Sequence, residues 1–467
     1  MGLNTRVHIA GIGGTFMTGL ALLARERGFD VHGSDQAIYP PMSTLLSTER
    51  IPVTGGYEPE SLLPHTDMCV IGNALSRGNP LIEHILENRI PYTSGSSWLR
   101  ESLIPSRKVL AVAGTHGKTT ASSMAAFIMD CCGASPGFLI GGIPGNFPVS
   151  ARLGERDWFV IEADEYDTAF FDKRSKFMHY RPDVLLMGNL EFDHADIFSS
   201  LEDIKRQFAH LLRSVPPNGS VVINSDDPNL RDVLEQGCWS KIVEFSRQDE
   251  RCDWFVQALT EDASEFDVYQ SGRLLGRVTW PLFGAHNMMN ALGAIASCSE
   301  AGIKPLEACK CLSDFELPKR RLEQLNSKGS IALFDDFAHH PTAIKSTLKS
   351  IQAAAPGKRV IAVIEPRSNT MKLGSQQELL SKALVHCDVA VIYRRPDLSW
   401  DPATLALHSP QTKLLALDSV DAIRDAVVKE ARIGDQVVMM TNGNFDGLKD
   451  LLQKDLRLND TFRRMKT

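Results

Sequence analysis

Short apolar runs, each closed by glycine or a polar cluster, recur along the chain and alternate with stretches of helical spacing. Residues 7–10 form the first run. They lead into Gly11-Ile12-Gly13-Gly14 and a helical pattern that lasts to about Gly28, with further strands predicted at 31–34, 68–71 and 90–93. A second set opens at Lys108. Its first strand turns through Gly114-Thr115-His116-Gly117-Lys118-Thr119-Thr120 into a helix over 122–132, and strands follow at 158–162, 184–188 and 221–224. Residues 240–280 alternate in short segments that predict antiparallel β, and 287–301 predicts a helix. A third set places strands at 331–334, 360–364, 389–393 and 437–440. Strands alternating with helices predict α/β architecture with parallel sheets, and residues 104–107 read as a linker between the first two sets.

Composition changes this picture little. The chain has 467 residues, enough for about three domains. An apolar fraction of 43% and a charged fraction of 23% are those of an ordinary globular protein. A net charge of −7 argues against general nucleic-acid binding. The nine cysteines include no C-x-x-C pair, which predicts reduced thiols in a cytoplasmic protein. No apolar run reaches about 18 residues, so no membrane span is expected. The N-terminus enters a strand almost at once, which leaves no room for a signal peptide.

The candidate chemistry sits at strand ends. A glycine-rich turn between a strand and a helix leaves backbone N–H groups free for phosphate. Lys118 adds a positive charge for the β- and γ-phosphates, and the Thr119 hydroxyl is a ligand type for Mg²⁺. Val112 stands where the strict phosphate-loop pattern has its first glycine. Glu162, Asp164, Glu165 and Asp167 follow a strand of the same unit, and Glu162 is nearest the strand end. Residues 189–194 and 224–227 close two more strands, so three polar clusters point to one shared site. His194 has carboxylates beside it that could orient its ring for a metal. His286, Asn287 and Asn290 open a helix, where capping explains at most one of them. The pair Arg320-Arg321 at a domain boundary suits phosphate capture during closure. Asp335 and Asp336 precede the adjacent His339 and His340, for which a nucleotide or domain contact is expected. Gly11, Gly13 and Gly14 with Asp35 about 20 residues on make an incomplete dinucleotide fingerprint, because Phe16 holds the third glycine position. An NAD-dependent dehydrogenase is therefore one reading, a tight turn with a packed helix start is a second, and a loop for the diphosphate of another nucleotide, with Asp35 near its ribose or base, is the third and fits better.

Taken in order over nearly the whole chain, these motifs resemble the Mur ligase family: Gly114–Thr120, the Glu162 cluster, 189–194, His286-Asn287 with Asn290, Arg320-Arg321 and 335–341. That family's phosphate loop also lacks the early glycine. The resemblance implies a Rossmann-like domain for a UDP-substrate over 1–106, a central P-loop ATPase domain over 107–318 and a Rossmann-like C-terminal domain for the amino substrate over 319–467. It implies an ATP-dependent, Mg²⁺-using amide ligase in peptidoglycan metabolism that works through an acyl phosphate. Lys118, Glu162 and His194 would be catalytic, with Thr119, Glu162 and His194 as metal ligands. ATP would meet Gly114, Thr115, His116, Gly117, Lys118, Thr119, Thr120, Asn287, Asn290, Arg320, Arg321, Asp335 and Asp336. The UDP-sugar would meet Gly11, Gly13, Gly14, Thr15, Asp35 and Asn73. Two branches resemble the chain, both acting on UDP-N-acetylmuramate: one adds L-alanine, the other the tripeptide L-Ala-γ-D-Glu-meso-diaminopimelate. Gly14-Thr15-Phe16-Met17 and Glu365-Pro366-Arg367-Ser368-Asn369-Thr370 look like the second branch, which makes Arg367, Ser368, Asn369 and Thr370 the tripeptide candidates. Ala209 stands where several members carry a carbamylated lysine, so no such bridge is expected.

Overall fold

A computed structural model describes residues 5–326 and 331–464 and arranges them around three main sheets. The first sheet is all-parallel. Its strands lie in the order Val53–Gly55, Asp30–Asp35, Arg6–Ala10, Met68–Ile71, Tyr92–Ser94, the doubly wound order of a Rossmann-like domain. The crevice at the reversal point therefore opens beside the carboxyl ends of Arg6–Ala10 and Met68–Ile71. Helix Thr15–Glu26 starts there and buries Leu20, Ala21, Leu23 and Ala24 on the sheet.

The central sheet has ten strands, and the phosphate-loop strand Lys108–Ala113 lies between Val184–Met187 and Trp158–Ala163, parallel to both. From Val109 onward its residues are buried on both faces. Val109 and Ala111 join Ile161, Leu185 and Val221 in one core, while Leu110 and Val112 join Val160, Leu186 and Val222 in the other. Burial on both faces explains why these strands read as continuous apolar runs rather than alternating ones. Helices Lys118–Cys131 and Ala285–Glu300 cover the second face. The first core continues into the N-terminal domain, where Leu20 and Trp98 belong to the same cluster as Leu139 and Phe159.

The third sheet adds the short antiparallel edge strand Glu323–Gln324 to five parallel strands in the order Ala332–Asp336, Gln436–Met440, Val360–Ile364, Val389–Tyr393, Lys413–Leu417. It is doubly wound, with cores on both faces, but its strand order differs from that of the first sheet.

Two expectations are corrected. The strand Lys241–Ser246 joins Ser220–Asn224 in parallel, and Trp254–Ala258 continues parallel at Phe245↔Trp254; antiparallel pairing begins only with Glu265–Gln270 and Arg273–Thr279. Alternation fixes a strand but not its direction, and the helix Pro228–Glu235 between Ser220–Asn224 and Lys241–Ser246 makes the connection a crossover. The nine cysteines are not all thiols either. Cys131 and Cys311 form a disulfide with Cα atoms 6.2 Å apart, and the other seven are free. Helix Lys118–Cys131 and helix Pro305–Cys311 both end there, so packing joins two residues 180 positions apart.

Candidate active site

The phosphate loop is built around Gly117 and Asn189. Gly117 caps helix Lys118–Cys131 with φ +78°, and a Cβ there would lie 2.5 Å from Asn290 Oδ1, so the position demands glycine on both counts. Asn189 pins the loop from the neighbouring strand end: its Oδ1 accepts the His116 N–H at 2.7 Å and its Nδ2 donates to the His116 carbonyl at 3.0 Å. The Thr115 N–H donates to the Asn189 carbonyl at 3.1 Å.

Lys118 and Thr119 then face different carboxylates. Lys118 Nζ donates to Glu165 Oε2 at 2.7 Å, and Glu165 Oε1 lies 3.0 Å from His194 Nε2. Burial disfavours charge on all three groups, but mutual attraction outweighs it: Lys118 and His194 are pushed up, led by Glu165, and Glu165 is pushed down, led by Lys118. Thr119 Oγ1 donates to Glu162 Oε1 at 3.1 Å, and the other Glu162 oxygen accepts the Gly141 N–H at 2.8 Å. Burial raises the Glu162 carboxyl against the pull of Lys118 and Arg321. Asp164 is held down to about 2, because Lys176 at 2.9 Å and Lys118 outweigh burial. His194 occupies the left-handed region at φ +57°, uncommon for a residue with a Cβ, and its N–H is held by Asp193 Oδ1 at 2.8 Å.

The third domain reaches this loop directly. Arg321 donates to Thr119 Oγ1 at 2.9 Å. Its neighbours Arg320 and Leu322 both have positive φ, 61° and 54°, and this turn aims the two arginines apart. Arg320 folds back to the Thr441 and Gly443 carbonyls at 2.8 and 2.6 Å, and Asp335 pairs with Lys449 at 3.0 Å. Arg321 and Asp336 therefore line the cavity, whereas Arg320 and Asp335 brace the domain behind it. Asp336 is pushed up to about 6 by burial, against its bond from the Ala338 N–H and the charge of Arg321.

One cavity of about 1180 Å³ gathers Gly117, Lys118, Thr119, Glu162, His194 and Arg321, with Asn224 and Asp227 from the third strand end. The three polar clusters share one site. His286, Asn287 and Asn290 open onto it as well. The Asn287 side chain donates to the Phe283 carbonyl at 2.9 Å, and burial pushes His286 down to about 4. The N-terminal candidates lie elsewhere, at the carboxyl ends of the first sheet. There Asp35 accepts the Gly13 N–H at 2.8 Å and the Tyr57 hydroxyl at 3.1 Å, which fixes the glycine turn. Among the tripeptide candidates, Arg367 and Asn369 are exposed, and Ser368 caps helix Asn369–Leu373. Thr370 is buried and donates to Asp193 Oδ1 at 2.9 Å across the domain seam.

Glu165 and Asn189 carry more of the site than the sequence reading gave them. The acidic run after the strand signals Glu165, but only the fold shows that Lys118 chooses it over Glu162. Thr119, Glu162, Asp164 and Glu165 offer hard oxygen donors, and Asp164, Glu165 and His194 hold their ligand atoms within 4.8 Å of one another. This donor set fits Mg²⁺.

A phosphate loop facing buried carboxylates, with a Rossmann-like domain on one side and an arginine delivered from a third domain on the other, defines a nucleotide-dependent α/β enzyme. The chain belongs to the Mur ligase family. The family's "catalytic domain" model matches residues 6–105, its "middle domain" 112–298 and its "glutamate ligase domain" 320–443. The chain is 49% identical over 448 residues, 96% of its length and 97% of the relative's, to the UDP-N-acetylmuramate–L-alanyl-γ-D-glutamyl-meso-2,6-diaminoheptandioate ligase of Escherichia coli K12. It matches the crystal structure of a murein peptide ligase from Psychrobacter arcticus 273-4 with a TM-score of 0.76 at 40% identity, covering 97% of this chain and 99% of the other. A UDP-N-acetylmuramate–L-alanine ligase from Syntrophomonas wolfei is more distant, at 32% identity over 83% of this chain and 81% of the relative. Members of the family are ATP-dependent, ADP-forming ligases, and so is this chain. The dehydrogenase reading of the N-terminal glycines is thereby set aside.

Proposed function

We propose that the enzyme joins the lactyl carboxylate of UDP-N-acetylmuramate to the α-amine of L-Ala-γ-D-Glu-meso-diaminopimelate, returning a cell-wall tripeptide to a cytoplasmic precursor. The observation that carries the chemistry is Lys118, held by Glu165 at the mouth of the phosphate loop with Arg321 reaching the same loop. The 49% relative's name supplies the substrates.

The carboxylate attacks the γ-phosphorus of ATP and releases ADP. The acyl phosphate so formed makes phosphate the leaving group, which a free carboxylate lacks. The tripeptide amine then attacks the carbonyl, sheds a proton, and expels phosphate as the amide forms. Lys118 and Arg321 stabilise charge on the phosphoryl group as it moves, and positioning is the protein's main contribution. Thr119, Glu162 and the Asp164–Glu165–His194 group would hold Mg²⁺, which screens the phosphate oxygens when bound. Asn287 and Asn290, at the loop side of helix Ala285–Glu300, would meet the nucleotide. Gly11, Gly13, Gly14, Thr15 and Asn73 would meet the UDP-sugar, with Asp35 fixing the turn. Residues 1–106, 107–318 and 319–467 would serve UDP-sugar, ATP and amine respectively. Arg367 suits the tripeptide's carboxylates by bidentate pairing, with Ser368, Asn369 and Thr370 shaping its segment.

The test is ADP release with UDP-N-acetylmuramate and a small panel of amines. The tripeptide should drive turnover far better than free L-alanine. The reverse order would give the enzyme to the alanine-adding branch.

A further inference from the structure

Apart from the carboxylates beside Lys118, the seam between the phosphate loop and the third domain holds a second convergence of ligand atoms. His116 comes from the phosphate loop, Glu191 from the loop after Val184–Met187, and His340 from the start of helix Pro341–Ala354. One ligand atom from each lies within 4.8 Å of the others. His116 Nε2 is 3.4 Å and His340 Nδ1 3.5 Å from the same oxygen, Glu191 Oε2. Donors on a tetrahedral ion with bonds of about 2.0–2.1 Å stand about 3.3–3.4 Å apart, so these two spacings are those of shared coordination.

The Thr342 N–H donates to His340 Nδ1 at 3.3 Å, so a lone pair of Nδ1 lies on the side of Glu191. The surroundings support a metal ligand set, because the Thr342 hydroxyl donates to Glu191 Oε2 at 2.6 Å and orients the carboxylate.

We propose that His116, Glu191 and His340 form a site for Zn²⁺ or a similar borderline transition ion, separate from the Mg²⁺ ligands. Two imidazoles and one carboxylate suit such an ion better than Mg²⁺, which prefers a set made mostly of oxygen donors. The cost is the weak Thr342 N–H bond to Nδ1, which the ion displaces. An ion there staples the third domain to the phosphate loop, because its ligands come from both.

The full-length protein, in excess Mg²⁺, is loaded with one equivalent of Zn²⁺ and studied by X-ray absorption at the zinc edge. Two imidazoles are expected in the coordination sphere. A single imidazole would place the ion in the Asp164–Glu165–His194 group and overturn the proposal, as would failure to retain Zn²⁺ in equilibrium dialysis. In His340→Gln the two-imidazole signature should disappear; its persistence would also sink the idea. Thr342→Val, which removes only the hydroxyl that orients Glu191, should weaken Zn²⁺ binding by about tenfold or more, and unchanged affinity would count against the site.

Discussion

Lys118 shows how a single side chain can carry both chemistry and stability. Its Nζ is bonded to Glu165, whose side chain is only 2% exposed. Lys118→Ala should abolish acyl-phosphate formation, measured by trapping with hydroxylamine, while UDP-sugar binding persists. It also strands a buried carboxylate, and breaking one side of such a pair typically costs about 3–5 kcal/mol. Lost activity in that variant could thus be confused with lost folding. The double variant Lys118→Met/Glu165→Gln removes both charges together. It should regain most of the urea-denaturation midpoint and remain inactive. If the double variant forms acyl phosphate, Lys118 does not serve the phosphoryl group.

At the scale of elements, the helix Asn369–Leu373 docks the third domain on the central one. Thr370 donates to Asp193 and accepts the Ala195 N–H at 3.3 Å, so its hydroxyl is fully used at the seam. Removing a hydrogen bond to a charged group costs about 1.5–3 kcal/mol. Thr370→Val should lower thermal stability and weaken ATP binding, with the ratio of tripeptide to L-alanine turnover unchanged. A changed ratio would instead make Thr370 a tripeptide contact, as its motif implies. This helix also marks what the sequence makes legible. The strands Val360–Ile364 and Val389–Tyr393 stand where their apolar runs predict, because strands buried on both faces leave an unbroken signal. The edge strand Val53–Gly55, whose three residues are all exposed, leaves none and is not foreseen. The strand Lys413–Leu417 has one strand neighbour among the described residues and is only partly buried, and it is missed for the same reason. The site follows the same logic. Glycine and lysine at a turn are readable in one dimension, but Arg321 and Arg320 are identical neighbours until the backbone turn sends one to Thr119 and the other to Thr441. Asn189 reaches the phosphate loop from 73 positions away, a link visible only once the strands pair.

The whole molecule carries a common sensitivity to acid, spread over its domains. Burial holds His8 down to about 3 and His32, His286, His339 and His340 down to about 4, from an ordinary value of 6.5. A buried neutral histidine binds fewer protons than its unfolded counterpart, so stability rises with pH between the folded and unfolded values and is lost as pH falls through that window. From pH 6.5 to about pH 5 each such histidine takes away on the order of 1–2 kcal/mol. Several groups act in the opposite sense: Asp336, raised to about 6, and His194, Glu162 and Asp227, all raised, favour the folded state as pH falls. They are outnumbered. The low carboxylates Asp164 and Glu191, both near 2, lose their contribution only below the range where the histidines have already acted. The urea midpoint should therefore drop between about pH 7 and about pH 5. His8 is the cleanest probe, because it lies in the first sheet at 3.0 Å from Ser34 Oγ and faces His32 at a ring distance of 4.8 Å, away from the catalytic cavity. His8→Gln should flatten the pH dependence by about one histidine's share and leave ligase turnover at neutral pH in place. An unchanged slope would mean that His8 is already protonated, or solvated, in the folded protein.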